Sequence, residues 1–298
     1  MSTVKHFDLV QGARQAMLDA HFQPEIPPAA QAEAARLHPA RTTGPGIRDL
    51  RTLAWSSIDN DESRDLDQIE MAEALANGHV RVRVGIADVD ALVHRGSALD
   101  AHAAHNTCTI YTGARVFPML PESLSTDHTS LGEGVERLAL VVEMDVDSDG
   151  KVVEASVYRA AVKNHAKLAY DGVGAWLEGS GPAPSKVGAT EGIEAQLRLQ
   201  DSVARCLKKL RYERGALDLE TIEARAVVDK EGAVTRIELT KKSRARALIE
   251  DFMIAANGAM ARFLDERHLS SIRRVVKAPE RWARIVALAA HTGDVLPP

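Results

Sequence analysis

The amino-acid sequence predicts an α+β fold, in which a mixed, largely antiparallel sheet is flanked by long helices. Two pairs of strand-like segments each surround a short turn that contains Asp and Gly, a pattern typical of β-hairpins. Residues 191–211 and 243–265 instead carry hydrophobic side chains at helical spacing, over lengths typical of helices. Hairpins and long helices in separate runs favour an α+β fold over a regular alternation of strands and helices.

The first residues predict a short helical leader. Leu9, Ala13 and Met17 recur at helical spacing, and we expect residues 9–38 to be largely helical, with a second, Ala-rich helix that opens at the Pro27–Pro28 pair. The segment TTGPG at residues 42–46 is rich in turn formers and marks the predicted domain boundary. The two predicted parts are the leader, residues 1–46, and the main domain, residues 47–298.

The main domain is predicted to contain the sheet. Its first strand is expected at His79–Val89, where apolar and polar residues alternate as in a half-buried strand. The predicted hairpins are Arg137–Val146 with Val152–Val162, and Leu219–Val228 with Ala233–Thr240. The helices predicted between and after these strands are Lys167–Leu177, Glu191–Arg211, Ser243–Asp265 and Pro279–His291.

The bulk composition is that of an ordinary globular protein, with 298 residues, a formal net charge of −5 and 45% hydrophobic residues. No apolar run approaches the roughly 18 residues that span a bilayer, and the N-terminal residues lack a secretory signal. Two widely separated cysteines, Cys108 and Cys206, are typical of a reducing cytoplasm. We therefore expect a cytoplasmic protein without a membrane partner. The negative charge does not exclude nucleic acid, because the distribution of charge matters more than its sum.

The most informative stretch is Ser57–Glu70, which reads SIDNDESRDLDQIE. Four carboxylates, those of Asp59, Asp61, Asp65 and Asp67, are crowded into it. Crowding raises carboxylate pKa values unless a cation neutralises the charge, and hard oxygen ligands are those that Mg²⁺ prefers. The stretch therefore predicts a divalent-metal site.

Two other interpretations of this stretch stay open at this point. The first is a solvated acidic turn. The second is a calcium loop that starts at Asp59 and ends at Glu70, with acidic or hydroxyl side chains at the usual ligand positions. Arg64 stands where such a loop requires Gly, and no flanking helices are predicted, so the calcium interpretation fits less well.

The same stretch closely resembles the signature of the ribonuclease II (RNB) family, in which spaced Asp residues bind catalytic Mg²⁺. The resemblance covers about residues 47–275. Its further motifs, in the order and roughly the spacing of the family, are IADV at 86–89, YTGARVFPMLPESLS at 111–125, AKLAYD at 166–171, GALDLE at 215–220 and LIEDFMIAAN at 248–257.

By this resemblance the fold would be that of the RNB catalytic domain. The protein would degrade single-stranded RNA hydrolytically from its 3′ end to 5′-mononucleotides, with Mg²⁺ as the cofactor and Mn²⁺ as an alternative. Asp59, Asp65 and Asp67 would be catalytic metal ligands, and Gln68 would stand at the metal site where the family usually has a fourth Asp. Tyr170 would lie beside the scissile phosphate.

The resemblance also implies residues that bind the substrate. Tyr111 would contact the RNA near its terminal bases, and Glu250 would help to hold the terminal nucleotide. Aromatic rings and cations suit an enzyme that ignores sequence, because it must grip base faces and phosphates. We expect a monomer by analogy with the family.

The sequence departs from the family pattern in three ways. Gln68 lacks the charge of an Asp, which should weaken a second metal site, and Leu219 lies where some members carry a base-stacking aromatic. A segment resembling TSPIRRY, whose arginine contacts the scissile phosphate, is missing. We therefore expect a C-terminally incomplete catalytic domain, a fragment with feeble activity alone. The alternative is a non-catalytic RNA-binding or regulatory relative.

Overall fold

A computed structural model describes residues 8–216, 223–228, 234–240, 242–273 and 279–296. The strands are β1 Ile47–Asp49, β2 Ser56–Asp59, β3 Gln68–Ala74, β4 Val80–Ala87, β5 Ile110–Tyr111, β6 Val116–Phe117, β7 Glu136–Val146, β8 Val152–Lys163, β9 Ala166–Ala169, β10 Glu223–Val228 and β11 Val234–Thr240. The α-helices are α1 Leu9–Asp19, α2 Pro28–Ala34, α3 Ala98–Asn106, α4 Tyr170–Leu177, α5 Ser185–Ala189, α6 Ile193–Glu213, α7 Arg244–Glu266 and α8 Trp282–Thr292.

The main sheet has seven strands in the order β1-β8-β7-β4-β3-β2-β9. The pairs from β8 to β2 are antiparallel, and β1 and β9 join the two edges in parallel. This arrangement confirms the predicted α+β class with a mixed, largely antiparallel sheet. The predicted hairpin is confirmed by the antiparallel pairing of β7 and β8. Its short turn lets the two long strands pair directly.

Hydrophobic clusters cover both faces of the sheet. Ile69 and Met71 of β3 belong to one cluster, and Ala72 belongs to the other, as the alternation of side chains in a strand requires. The second cluster contains apolar residues of α4 to α7. The side chain of Gln196 on α6 also accepts a hydrogen bond from the backbone N–H of Ala72 at 3.1 Å and donates one to the carbonyl of Ala54 at 2.7 Å. These bonds fix α6 beside β3.

The second helix of the leader, α2, begins at the Pro27–Pro28 pair as predicted, but the helices cover less of residues 9–38 than predicted. Within residues 9–38 the helices are α1 and α2, and the segment between them is not helical. Ala30 and Ala34 of α2 pack in a hydrophobic cluster with Leu99 of α3 and Leu124. The boundary at residue 46 stays a prediction.

The helix predicted at Lys167–Leu177 is wrong in its first part. Ala166–Ala169 form β9, and α4 begins only at Tyr170. Ala166 and Leu168 are buried while Lys167 is not, so the short alternating run pairs in parallel with the free edge of β2. Tertiary pairing has overridden a helical pattern here.

The remaining predicted elements occur with shifted ends. The strand expected at His79–Val89 is β4, and the helices expected at Glu191–Arg211, Ser243–Asp265 and Pro279–His291 are α6, α7 and α8. The second hairpin is confirmed by antiparallel β10 and β11, although residues 219–222 and 233 of the predicted strands lie outside the described residues.

Contacts divide the chain into two compact units, residues 1–260 and 261–298. Among the helices that the structure describes, none combines the length and apolar character needed to cross a bilayer.

Candidate functional site

The acidic stretch forms a loop between two neighbouring strands. Asp59 is the last residue of β2, and Asp67 directly precedes β3. Between them lies buried Leu66, whose backbone carbonyl accepts a hydrogen bond from the N–H of Leu131 at 2.8 Å. The N–H of Leu66 donates to the hydroxyl of Ser130 at 3.1 Å. The loop is thus anchored at Leu66, which fixes the backbone on either side of it. We call residues 59–67 the carboxylate loop.

The register of the sheet brings Tyr170 to this loop. Asp59 lies opposite Ala169 in the parallel pair of β2 and β9, and Tyr170 is the next residue. Desolvation raises the pKa of the Tyr170 phenol to about 12, and the negative charges of Asp59, Glu70 and Asp67 contribute. The phenol of Tyr170 therefore lies in the field of the carboxylates.

Tyr111 reaches the loop from the small hairpin of β5 and β6. Its hydroxyl donates to Oδ2 of Asp65 at 2.9 Å, while 67% of the residue stays exposed. Desolvation, followed by the hydrogen bond to Asp65, raises the pKa of Tyr111 to about 12. An exposed aromatic ring is thus held beside the acidic loop by its hydroxyl.

The three predicted metal ligands lie within electrostatic reach of one another. The pKa of Asp67 is raised by desolvation and then by the charges of Asp59 and Asp65, although its side chain keeps contact with solvent. Asp59 is held by the backbone N–H of Asn60 at 2.6 Å and by the hydroxyl of Ser63 at 3.1 Å. In the part of the chain that the structure describes, no three His, Cys, Asp or Glu side chains already form a metal-holding group. The carboxylates are neighbours, but they do not converge on one point.

Glu70 lies beside the carboxylate loop, and in the sequence it was considered only as the last residue of the calcium loop. It lies on β3 opposite Ser56 of β2 and Val84 of β4, and only 1% of it is exposed. Neither of its carboxylate oxygens has a hydrogen-bond partner among the described residues. Burial raises its pKa well above the ordinary value, and the charges of Asp67 and Asp59 raise it further. A buried, unpaired carboxylate beside other carboxylates is a donor set that fits a hard divalent cation.

Arg246 is the second residue that the sequence did not assign to the site. Its guanidinium donates to the side-chain oxygen of Asn60 at 2.9 Å and lies 4.4 Å from the centroid of the Tyr170 ring. Two other arginines, on α6 and α7, are engaged elsewhere: Arg211 pairs with Asp251, and Arg244 pairs with Asp201. Arg246 therefore places a positive charge at the edge of the acidic site.

Two predicted residues have weaker links to the site. Glu250 lies one helical turn after Arg246 on α7, but it is exposed and faces Lys242 at 3.9 Å. Gln68 is buried at the start of β3, opposite Ile86. Leu219 lies outside the described residues. The calcium interpretation is disfavoured, because strands and not helices flank the carboxylate loop.

A cavity of about 300 Å³ opens beside the carboxylate loop. Its lining includes the cations Arg64, Arg137 and Lys167 and also the acids Asp127 and Glu133. Lys167 also donates to the backbone carbonyl of Asp61 at 2.7 Å, which ties β9 to the loop. Cations therefore lie close to the acidic loop, where a polyanion could run past it.

Comparisons with known proteins give a consistent result. The family model for the RNB domain matches residues 47–292. Ribonuclease R of Thermotoga maritima is 36% identical over 236 residues, which is 79% of this chain and 33% of that protein. Ribonuclease R of Escherichia coli is 34% identical over 238 residues, covering 80% of this chain and 29% of that protein. The chain thus spans about a third of the length of these relatives.

A solved structure supports the same fold. Mycoplasma genitalium RNase R in complex with ribose-methylated single-stranded RNA superposes with a TM-score of 0.88 and 26% sequence identity. The match covers 98% of this chain and 45% of that protein.

Proposed function

This chain belongs to the family defined by the RNB domain, and from that premise we propose that the protein is a hydrolytic exoribonuclease. It degrades single-stranded RNA in the 3′-to-5′ direction to 5′-mononucleotides, with Mg²⁺ or Mn²⁺ as cofactor. The observation that carries the proposal is the meeting of the carboxylate loop with Tyr170 and Tyr111, which strand register and one hydrogen bond bring together. We also propose a monomer in the cytoplasm, the latter from the use of cysteine.

The carboxylates supply the metal-binding part of the site. Asp59, Asp65 and Asp67 would hold the ion, with the side-chain oxygen of Gln68 as a further donor. When bound, a divalent ion supplies the Lewis acid that hydrolysis of a phosphodiester needs. One oxygen of Asp65 accepts the hydroxyl of Tyr111 at 2.9 Å, and the other would be available to hold the ion.

Tyr170 and Arg246 would act on the phosphate. With a pKa near 12, the phenol of Tyr170 stays protonated at neutral pH, so it donates a hydrogen bond and does not act as a base. The guanidinium of Arg246 lies against the Tyr170 ring and brings a positive charge to the place where negative charge accumulates during phosphoryl transfer.

Tyr111 and the cations that line the cavity would hold the RNA. The exposed ring of Tyr111 offers a face on which a base can stack without regard to sequence. Arg64, Arg137 and Lys167 line the neighbouring cavity and are suited to backbone phosphates.

The test uses a single-stranded oligoribonucleotide labelled at either its 5′ or its 3′ end. With Mg²⁺ present, the 3′ label should be released at once on a mononucleotide. The 5′-labelled strand should instead become progressively shorter. Asp67→Asn should lower the rate of release roughly a thousandfold, and Asp61→Asn should leave it unchanged. Asp61 is a matched control, because it is an exposed Asp of the same loop outside the proposed ligand set. An undiminished rate of release after chelation of divalent ions, or in Asp67→Asn, would overturn the proposal.

The alternative function is RNA binding without turnover. Gln68 favours it, because this buried residue brings no charge to a position where the family usually has an Asp ligand. Tight RNA binding by the full-length protein in Mg²⁺, without any release of mononucleotides, would support this alternative.

A further inference from the structure

Glu70 lies where a core residue would be expected. Its neighbours across the strands are Ser56 and Val84, and Ile58 and Ala72 on the same face of the sheet are packed in the hydrophobic core. Within the described part of the chain both oxygens of Glu70 lack a hydrogen-bond partner, and the hydroxyl of Ser56 is engaged by Gln196 at 3.2 Å. Burying an unpaired carboxylate costs free energy, so the position requires an explanation beyond packing.

Glu70 and Gln68 share one face of β3. Side chains of residues two apart on a strand point to the same side, and both residues are buried. Gln68 is the position that lacks the charge expected of a metal ligand, and Glu70 carries a carboxylate that no described residue bonds. The uncharged Gln68 and the unpaired carboxylate of Glu70 are thus adjacent side chains on the same face of β3.

We propose that Glu70 is a ligand of the divalent cation held by the carboxylate loop and supplies the negative charge that Gln68 lacks. The inference rests on the proposed function, because it assumes the metal. The Glu side chain has one methylene more than Asp, which extends its reach from the deeper position on the strand, and Mg²⁺ commonly keeps waters that bridge such a gap. The charges of Asp59 and Asp67 reach Glu70, so the three carboxylates are close enough to act on one another.

The structure also makes the charge of Glu70 costly in the absence of metal. An isosteric amide removes that charge while it keeps the shape of the side chain. Glu70→Gln should therefore raise the melting temperature of the metal-free protein and, at the same time, reduce the further rise on addition of metal. A carboxylate with a merely structural role would not produce this pair of opposite changes.

The experiment measures Mn²⁺ binding by calorimetry on the folded protein, with the melting temperature as a second readout. Glu70→Gln should weaken Mn²⁺ affinity by at least about tenfold, the scale on which even outer-shell partners of metal ligands act. The double variant Gln68→Asp with Glu70→Gln should recover much of that affinity, because the charge returns to the family's usual position. Glu73→Gln on the same strand is the matched control and should leave Mn²⁺ affinity unchanged.

The outcomes separate this inference from the proposed function. If Glu70→Gln binds Mn²⁺ like the wild type while Asp67→Asn does not, Glu70 is not a ligand and the proposed function stands. If the wild type binds no Mn²⁺ and Asp67→Asn changes nothing, both this inference and the proposed metal-dependent function fail. Should Glu70→Gln not fold, Glu70→Asp keeps the charge and shortens the reach; an unchanged Mn²⁺ affinity in that variant would also overturn the proposal.

Discussion

Two groups of charged side chains lie on the same sheet and differ in how their charges are balanced. On β4 and β7, Arg81 pairs with Asp145 at 2.7 Å, and Arg83 pairs with Glu143 at 2.5 Å. We call these four residues the paired network. In the carboxylate loop and at Glu70, by contrast, carboxylates face one another, and Glu70 has no hydrogen-bond partner among the described residues.

The difference separates a structural role from a functional one. In the paired network, Arg81 lowers the pKa of Asp145 through its hydrogen bonds, so the acid is most stable in its charged form. At the site, desolvation and neighbouring acids raise the pKa values of Asp67 and Glu70. Acidic groups whose charged form is destabilised by their surroundings are candidates for function, because a bound cation can supply the positive charge that the protein lacks there.

The largest expected effect contrasts the same substitution in the two regions. Asp67→Asn should lower the rate of mononucleotide release roughly a thousandfold, the scale on which loss of one charge-stabilising group acts in enzymes. Asp145→Asn makes the same chemical change in the paired network and should leave the rate nearly unaffected. Rates measured under single-turnover conditions with saturating Mg²⁺ check both. Equal losses in the two variants would contradict the division between the regions.

The next effect concerns stability. Arg83→Met leaves the largely buried Glu143 carboxylate without its closest cation, which should cost about 3 kcal/mol of the free energy of unfolding. Urea unfolding measures this value. The corresponding loss of charge at the site, Asp67→Asn in metal-free protein, should not destabilise the fold. A stable Arg83→Met variant would show that the paired network is dispensable.

The two regions should also respond to pH with opposite sign. The lowered pKa of Asp145 means that its contribution to stability is present above its unfolded-state pKa and is lost as pH falls through its folded-state pKa. The raised pKa of Asp67 means that stability is lost as pH rises from the ordinary value of 3.8 to the higher folded-state value. In chelator, Asp145→Asn should be most destabilising near neutral pH, and Asp67→Asn should be relatively most stable there. Unfolding curves at a series of pH values test this, and parallel slopes for the two variants would contradict it.

The smallest effect is expected at the exposed aromatic. Tyr111→Ala removes a face for base stacking and should weaken binding of single-stranded RNA about tenfold, since stacking contributes about 1–3 kcal/mol per base. Tyr111→Phe keeps the ring and should bind nearly as well as the wild type. Fluorescence anisotropy in Ca²⁺ and at fixed salt measures both affinities. A comparable loss in Tyr111→Phe would indicate that the hydroxyl, and not the ring, binds the RNA.

The sequence predicted those parts of the fold that depend on local signals. The hairpin of β7 and β8 has a turn with Gly150 and long alternating strands, and α6 and α7 have continuous helical patterns. The strand β9 escaped prediction, because four residues carry too little pattern and the pairing partner, β2, is far away in the sequence. The strand β3 was also not predicted, and its first three residues are the last residues of the acidic stretch.

The site was predictable where one segment carries it. Asp59, Asp65 and Asp67 stand within a single loop, and their crowding predicted a divalent-metal site, with a solvated turn and a calcium loop as alternatives. The metal site stays a prediction. Tyr111 and Tyr170 were assigned only through the family resemblance. Glu70 and Arg246 were missed as site residues, because their roles depend on which face of a strand is buried and on a contact between α7 and the carboxylate loop.

The central claim is that Asp59, Asp65, Asp67 and Glu70 surround one divalent cation. Anomalous diffraction from crystals of this protein soaked in Mn²⁺ tests it most directly. The account predicts a strong anomalous peak within ligand distance of Asp59 and Asp67, with the Glu70 carboxylate turned towards it. A map without a peak at the carboxylate loop, at Mn²⁺ concentrations that saturate binding in solution, would contradict it.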